Sequence, residues 1–257
     1  FIQYWAIGLV FLLIPILFLV SRKSIYLPGT TLIGYGFVIF ILVLIDLSNE
    51  KKDEQLGINE NMTPSEKAFA KCIYTVMREK NLKDRSEITR LICQDETITE
   101  LNAIHDLVNL EQLYIQGASL MTLESLESLT SLKVLSIGGV KTLSSTKGIG
   151  ALAKLEELQA NSASLYNLVE VEQLVNLKII ALESNKITDI KALTHLSKLE
   201  SVALNYNNIG SIKPLSNKPE LKRLRLHKNN FSSIEWLYDN RKLEFVDVSK
   251  GRFQSCK

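Results

Sequence analysis

The sequence contains few of the residues from which catalytic and metal sites are built. In 257 residues there are three scattered cysteines and three histidines, His105, His195 and His227. A zinc site or a disulfide framework needs paired cysteine spacings, and no carboxylate or thiol recurs beside a histidine as a nucleophile and its base require. The glycine-bearing stretch KGIGA at 147–151 is a weak phosphate signal. We therefore predict a protein that is not an enzyme and holds no metal or cofactor.

An excess of charge of one sign is also missing. The chain has 30 lysine and arginine residues against 28 acidic ones, which leaves a net charge of +2. No basic arm is concentrated anywhere, so there is no electrostatic basis for binding nucleic acid. Charge is scarce in one region, the first 47 residues, where Arg22, Lys23 and Asp46 are the charged side chains.

Two apolar runs in residues 1–47 predict a transmembrane helical hairpin. The runs cover 2–20 and 31–47, and each is about long enough to cross a hydrocarbon core of ~30 Å. A cleaved signal peptide is the alternative for the first run. The sequence disfavours it because no basic residue precedes this run, positive charges follow it, and a second span comes directly after.

The basic residues predict the orientation of the hairpin. Arg22 and Lys23 lie between the two runs, and basic residues favour the cytoplasmic side of a membrane. Both ends of the hairpin are then outside the cytoplasm. We expect a multi-pass protein of a bacterial inner membrane with the rest of the chain in the periplasm rather than the cytoplasm, although Lys51 and Lys52 downstream match the basic count of the loop.

A polar linker over 48–62 precedes a predicted amphipathic helix. The linker has few large apolar residues and is too hydrophilic to fold alone. A capping box predicts the start of the helix, with Thr63 as N-cap and Glu66 reaching back to it. We expect 63–87 to form a helical cap on the structure that follows. Its apolar face recurs at helical spacing to about Lys80, at Phe69, Cys72, Ile73 and Val76.

The remainder of the chain, 88–257, is a repeat. Successive copies are 22 residues apart, with one interval of 23, and open at Ile88, Leu110, Leu132, Leu155, Leu177, Leu199, Leu221 and Leu243. So constant a period predicts about eight stacked coils of one solenoid. Each coil should contain a short strand whose alternate side chains point inward. The inward positions run from Leu91 and Cys93 to Val246 and Val248.

Polar residues also occupy fixed places in the repeat. Asn185, Asn207 and Asn229 share one offset after the strand. We expect a structural column of buried amides that bond unpaired backbone groups of adjacent turns, rather than three solvent-exposed turn residues. Cys93 is at an inward position and is expected to pack as a small apolar residue; a bridge to Cys72 on the capping helix is the alternative.

The segment 177–190, LKIIALESNKITDI, has the order L-x-x-L-x-L-x-x-N of the leucine-rich repeat. Together with the capping helix, the chain from about 63 to 257 resembles bacterial leucine-rich repeat proteins of the internalin-like kind. The resemblance implies an α/β solenoid, curved and right-handed, with a parallel sheet on its concave face and turns or 3₁₀ segments on its convex side. It also implies a protein that binds other proteins. The two membrane spans are not part of the family pattern.

Alternation along the strands predicts the side chains that face outward on the concave side. Small residues line the middle of this face. Aromatic and basic residues lie near its ends, and residues of these types are typical interface anchors. The alternative is an ordinary solvated sheet, because single exposed apolar residues are common on protein surfaces. The residues predicted to contact a partner are Arg90, Gln112 and Tyr114 at one end and Arg223, Arg225, His227 and Phe245 at the other.

The whole sequence predicts a membrane-anchored recognition module whose concave face binds a protein of unspecified identity. Two alternatives stay open. The solenoid could be a structural scaffold or spacer within a membrane complex, or the chain could be a vestigial product without a selected ligand.

Overall fold

A computed structural model describes residues 41–42, 58–59 and 61–249. The chain divides into two units, Phe1–Asn59 and Glu60–Lys257. The predicted transmembrane hairpin, apart from 41–42, and most of the linker lie outside the described residues. Among the described residues, none of the helices combines the length and the apolar character that crossing a bilayer requires.

Helix α1 opens the second unit and spans Pro64–Glu79. Its first turn holds a capping box: the Glu66 amide donates to the Thr63 hydroxyl (3.1 Å), and the Thr63 amide donates to the Glu66 carboxylate (2.8 Å). Pro64 suits this first turn because its missing N–H would have no helical partner there. Phe69 and Ile73 on the inner face are buried in the hydrophobic core. The helix therefore covers the start of the repeats.

Eight short strands form one parallel sheet in chain order. Neighbouring strands pair at residues 22 apart, except for the pairing of Val134 with Glu157, which reflects the longer coil. The strands are β1 (Arg90–Gln94), β2 (Gln112–Gln116), β3 (Val134–Ser136), β4 (Glu157–Gln159), β5 (Ile179–Ala181), β6 (Ser201–Ala203), β7 (Arg223–Arg225) and β8 (Phe245–Asp247).

Short 3₁₀ segments lie on the return side of the coils. A hydroxyl or carboxylate often starts the turn by accepting a hydrogen bond from the backbone amide two residues later, as at Thr122, Ser145, Asp189, Ser211 and Ser233. In the described chain, no 3₁₀ segment lies between β3 and β4. The segments are Arg85–Glu87, Asn102–Asp106, Glu124–Leu126, Val171–Gln173, Lys191–Leu193, Lys213–Leu215 and Glu235–Leu237.

One hydrophobic core runs through the coils. Inward strand residues such as Leu113, Ile180 and Leu224 are fully buried. Burial of one leucine or isoleucine contributes roughly 1.5–3 kcal/mol to the free energy of unfolding. Burial of this strip is therefore the main contribution to the stability of the unit. The predicted strip is only partly buried in the last coil, where Val248 packs against the core. Val246 is 41% exposed, and its strand, β8, is at the edge of the described sheet.

The amides of Asn185, Asn207 and Asn229 are buried and hydrogen-bonded. The Asn207 side chain donates to the carbonyls of Leu182 (2.9 Å) and Leu204 (3.0 Å) and accepts from the Ile187 amide (3.0 Å). Equivalent bonds recur one coil earlier and one coil later. Each amide therefore ties its own coil to the preceding one.

A disulfide joins Cys72 of α1 to Cys93 of β1, with Cα atoms 5.6 Å apart. The expectation that Cys93 packs as an unpaired apolar residue is therefore wrong, and the alternative bridge is present. The face of α1 that carries Phe69 and Ile73 lies against the core, and this places Cys72 beside β1. The cap is thus covalently fixed to the first coil.

A lysine and an asparagine interrupt a column of buried leucines on the return side. Lys218 stands one coil after Leu196 and is 1% exposed. Its ammonium donates to the carbonyls of Leu193 (2.7 Å) and Thr194 (2.5 Å), and burial lowers its pKa. One coil further, the Asn240 side chain accepts from the Lys218 amide (2.7 Å). These hydrogen bonds explain how two polar residues are accommodated in the core.

Candidate protein-binding surface

The outward side chains of the eight strands form one surface, which we call the sheet face. In its middle, Ser136 and Ala203 are small enough to be buried against their neighbours, although they point outward. Larger and more exposed side chains lie on the first two and the last two strands. The aromatic and basic side chains of the sheet face therefore lie at its ends, while Ile179 is an exposed apolar residue in its middle.

Four residues meet at the end formed by β7 and β8: Arg223, Arg225, His227 and Phe245, which we call the C-terminal cluster. Arg223 lies opposite Phe245 in the strand register, and the Arg225 guanidinium is 5.8 Å from the centre of the Phe245 ring. Phe245 is 47% exposed. Neither arginine forms an ion pair with a described residue. The cluster thus presents an exposed aromatic ring and two unpaired cations.

His227 and Asp247 are both bonded to one serine. The Ser249 hydroxyl lies 2.6 Å from His227 Nδ1 and donates to the Asp247 carboxylate (2.8 Å). Hydrogen bonds from Ser249, with smaller contributions from the charges of His227 and Arg225, lower the pKa of Asp247. The hydroxyl lies between the imidazole and the carboxylate, whereas a nucleophilic triad needs the imidazole in the middle. The group is therefore a polar contact and not a nucleophile–base arrangement.

Tyr206 and Lys228 extend the C-terminal cluster and were not predicted. Tyr206 is 48% exposed. The centre of its ring lies 5.3 Å from the centre of the His227 ring and 4.6 Å from the Lys228 ammonium. Both residues come after a strand and have positive φ angles, 57° for Tyr206 and 53° for Lys228. Strand alternation does not reach such turn positions, so it could not place these side chains beside the sheet face.

The opposite end of the sheet face brings Arg90, Gln112 and Tyr114 together. Arg90 pairs with Gln112 in the register of β1 and β2, and its guanidinium is 5.2 Å from the centre of the Tyr114 ring. The two ends do not form one site, because six strand spacings separate β1 from β7, roughly 29 Å. The seven predicted residues therefore form two separate groups.

A line of alternating charges runs beside the sheet face, one residue before each strand from β2 to β8. Ion pairs join Glu111 to Lys133 (2.8 Å), Glu156 to Lys178 (2.7 Å) and Glu200 to Lys222 (2.9 Å). These contacts raise the pKa of Lys178 and Lys222 and lower that of Glu200. We call this line the charge column; its members are Glu111, Lys133, Glu156, Lys178, Glu200, Lys222 and Glu244.

The glycine-bearing stretch KGIGA does form an anion-binding turn, but a carboxylate of the same chain occupies it. The amides of Gly148 (2.7 Å) and Gly150 (3.1 Å) donate to the Glu170 side chain of the next coil. Gly148 has a φ of +103°, and a Cβ there would lie 2.4 Å from the Glu124 nitrogen. The turn therefore serves coil stacking and does not offer a phosphate site.

The remaining histidines do not add a catalytic site. His105 and His195 are exposed on the return side, and His105 Nδ1 is 2.6 Å from the Asn102 carbonyl. Across the described part of the chain, no group of three or more histidine, cysteine or acidic residues could hold a metal ion.

Comparison with solved structures identifies the fold. Internalin C2 from Listeria monocytogenes is 21% identical with a TM-score of 0.55, over 70% of this chain and 92% of that one. The functional domain of InlJ from the same organism is 20% identical with a TM-score of 0.56, over 74% and 47%. The ectodomain of the plant receptor kinase GASSHO1/SCHENGEN3 from Arabidopsis thaliana, solved with Casparian strip integrity factor 2, is 21% identical with a TM-score of 0.54, over 63% and 20%.

The second unit is therefore a leucine-rich repeat solenoid, and the predicted fold of the repeats is confirmed. The structural likeness to internalins is at the level of the fold. No protein-family model matches the sequence, and no curated protein does. The chain spans nearly all of internalin C2 but less than half of the two other proteins.

Proposed function

We propose that the protein is a recognition module whose sheet face, the concave face of the solenoid, binds a protein partner. The observation that carries the proposal is the C-terminal cluster, where an exposed phenylalanine lies beside two arginines that form no ion pair within the described part of the chain. Arginine and aromatic residues dominate the binding energy of protein interfaces. The charge column does not compete for this role, because most of its charges are neutralised within the chain.

Reversing the charge of both arginines tests this proposal. Arg223→Glu/Arg225→Glu should lower recovery of the partner by the full-length protein at least about tenfold, the effect expected for a hot spot. The melting temperature should fall only slightly, because both side chains are exposed and the one added cost is a carboxylate opposite Asp247 in the strand register. Quantitative mass spectrometry of co-purified proteins measures the recovery. Lys141→Glu/Lys154→Glu, which reverses two exposed lysines outside the sheet face, is the matched control.

The alternative hypothesis, a scaffold or spacer that assembles through its membrane segment, predicts a different result. Its partners would then be recovered equally well with Arg223→Glu/Arg225→Glu and with the control variant. That outcome would remove the C-terminal cluster from the function and favour the scaffold.

We further propose that residues 1–47 anchor the protein in a bacterial inner membrane, with the solenoid in the periplasm. The Cys72–Cys93 disulfide supports this side of the membrane, because disulfides form and persist in oxidising compartments such as the periplasm and are rare in the cytosol. The order of basic residues around the apolar runs points to the same side.

Thiol labelling tests the orientation. Ser232→Cys places a thiol at an exposed position of the solenoid, and Cys256→Ser removes a competing thiol. A membrane-impermeant maleimide should label this variant in intact spheroplasts. Labelling that requires lysis would place the solenoid in the cytoplasm and contradict the proposal; a lysed sample is the control for reactivity.

A further inference from the structure

A cleft lies between α1 and β1 and opens at the first end of the sheet face. Its volume is about 410 Å³, within the range of ligand pockets. All three outward side chains of β1 line it, opposite one face of the helix. The principal lining residues are Ala68, Cys72 and Val76 from α1 and Arg90, Ile92 and Gln94 from β1.

The floor of the cleft is apolar and accessible. Ile92 is 46% exposed, and Val76 is only partly buried where it packs against the core. Cys72 forms part of the wall, and its bond to Cys93 fixes the helix against the strand. A covalently fixed cleft does not have to form when a ligand arrives, which lowers the entropic cost of binding.

The rim of the cleft carries charges of both signs. Lys71, Lys80 and Arg90 line it together with Glu79 and Asp95. The Asp95 carboxylate is already bonded to the amide (2.8 Å) and the hydroxyl (2.6 Å) of Thr97. Those hydrogen bonds lower its pKa and so favour its charged form.

Arg90 connects the cleft to the sheet face. Its guanidinium contacts the Tyr114 ring and forms no ion pair with a described residue. A ligand in the cleft would therefore meet an apolar floor beside an unpaired cation. Because the cleft opens onto the sheet face, a protein lying on that face could reach it with one side chain.

We propose that this cleft anchors a bulky apolar side chain of the protein bound by the sheet face, and that Arg90 pairs with a carboxylate next to that side chain. The inference rests on the proposed function, since the occupant belongs to the same partner. The anchor and the C-terminal cluster then hold the partner at two points roughly 29 Å apart.

Short synthetic peptides test the cleft without knowledge of the partner. The capped peptide Gly-Gly-Phe-Asp-Gly-Gly should bind the immobilised full-length protein, measured by biolayer interferometry. Replacing its Phe with Ala or its Asp with Lys should weaken binding about tenfold or more. Ile92→Lys in the protein should have a similar effect. The matched control is Ile179→Lys, because Ile179 is also an exposed isoleucine on the sheet face, at 37%; it should change the affinity less than about twofold.

A second variant guards against misfolding of Ile92→Lys. Thr75→Trp, at an exposed position in the wall of the cleft, should block the peptide and leave the melting temperature unchanged. The proposal is overturned if the Phe peptide does not bind at millimolar concentration, if the Ala peptide binds equally well, or if Thr75→Trp binds it as the wild type does.

The same peptides separate this inference from the proposed function. Arg223→Glu/Arg225→Glu should leave peptide binding unchanged, because those residues lie six strands away from the cleft. If that variant loses the partner while the peptide fails to bind the wild type, the cleft is refuted and the C-terminal cluster stands. If the peptide binds but the variant keeps the partner, the C-terminal cluster is refuted.

Discussion

Asn207 joins two successive coils through one side chain. It satisfies the Ile187 amide and the Leu182 carbonyl of the preceding coil and the Leu204 carbonyl of its own. All of these groups are buried, and each of the two carbonyls also accepts from the asparagine of a neighbouring coil, Asn185 or Asn229. The coils before Asn185 have Ala118, Val140 and Ala163 at the equivalent position and lack this connection.

Asn207→Ala should lower the free energy of unfolding by about 2 kcal/mol. The substitution leaves the buried Ile187 amide without its acceptor, which costs about 1–3 kcal/mol, whereas the carbonyls of Leu182 and Leu204 each keep a bond from Asn185 or Asn229. The urea midpoint, followed by circular dichroism, measures the loss. Asn208→Ala is the control, because Asn208 is exposed and its substitution should have little effect. Equal midpoints for the two variants would show that the amide does not stabilise the turn.

Lys218 should make stability depend on pH in the alkaline range. Burial lowers its pKa in the folded state from 10.5, so between the folded pKa and 10.5 the unfolded chain binds more protons. The free energy of unfolding of the wild type, relative to Lys218→Met, should therefore rise with pH through this interval and be lowest below it. Urea unfolding at several alkaline pH values measures the difference.

Lys222→Met is the control for this experiment. The ion pair with Glu200 raises the Lys222 pKa above 10.5, so its contribution is present below pH 10.5 and is lost only above it. A wild-type stability that falls relative to Lys218→Met as pH approaches 10.5 would contradict the expected direction.

Helix α1 is attached to the first coil at two places. Near its start, the Ser65 hydroxyl accepts from the amides of Thr99 (3.0 Å) and Glu100 (3.2 Å). Two turns further along, Cys72 is bonded to Cys93. The apolar face of the helix is therefore held on the core by both hydrogen bonds and a covalent bond.

Removing the disulfide should loosen this end of the solenoid. Cys72→Ser/Cys93→Ser should lower the free energy of unfolding by about 3 kcal/mol, since the bridge closes a loop with a sequence separation of 21. Dithiothreitol should lower the melting temperature of the wild type and leave that of the double variant unchanged. A wild-type melting temperature insensitive to the reductant would contradict this expectation.

At the scale of the whole molecule, the period of the sequence predicts the fold because every coil places the same positions in the core. It could not predict features that depend on two parts of the chain meeting. The spacing of the cysteines does not predict the Cys72–Cys93 bridge, since spacing alone does not fix the position of a helix on a strand. The cleft beside Ile92 could not be predicted for the same reason, because it exists only where α1 lies beside β1. Lys218 was not recognised as buried, because its carbonyl partners are found only in the folded coil before it.

The charge column alternates in sign at every coil, whereas the backbone repeats with each coil. Deleting the single coil 177–198 would bring Glu156 next to Glu200, and duplicating it would set two lysines side by side. Deleting or duplicating a pair of neighbouring coils preserves the order of signs. An internal change of one coil therefore sets like charges side by side, which is destabilising, whereas an internal change of two coils keeps every charge beside one of opposite sign.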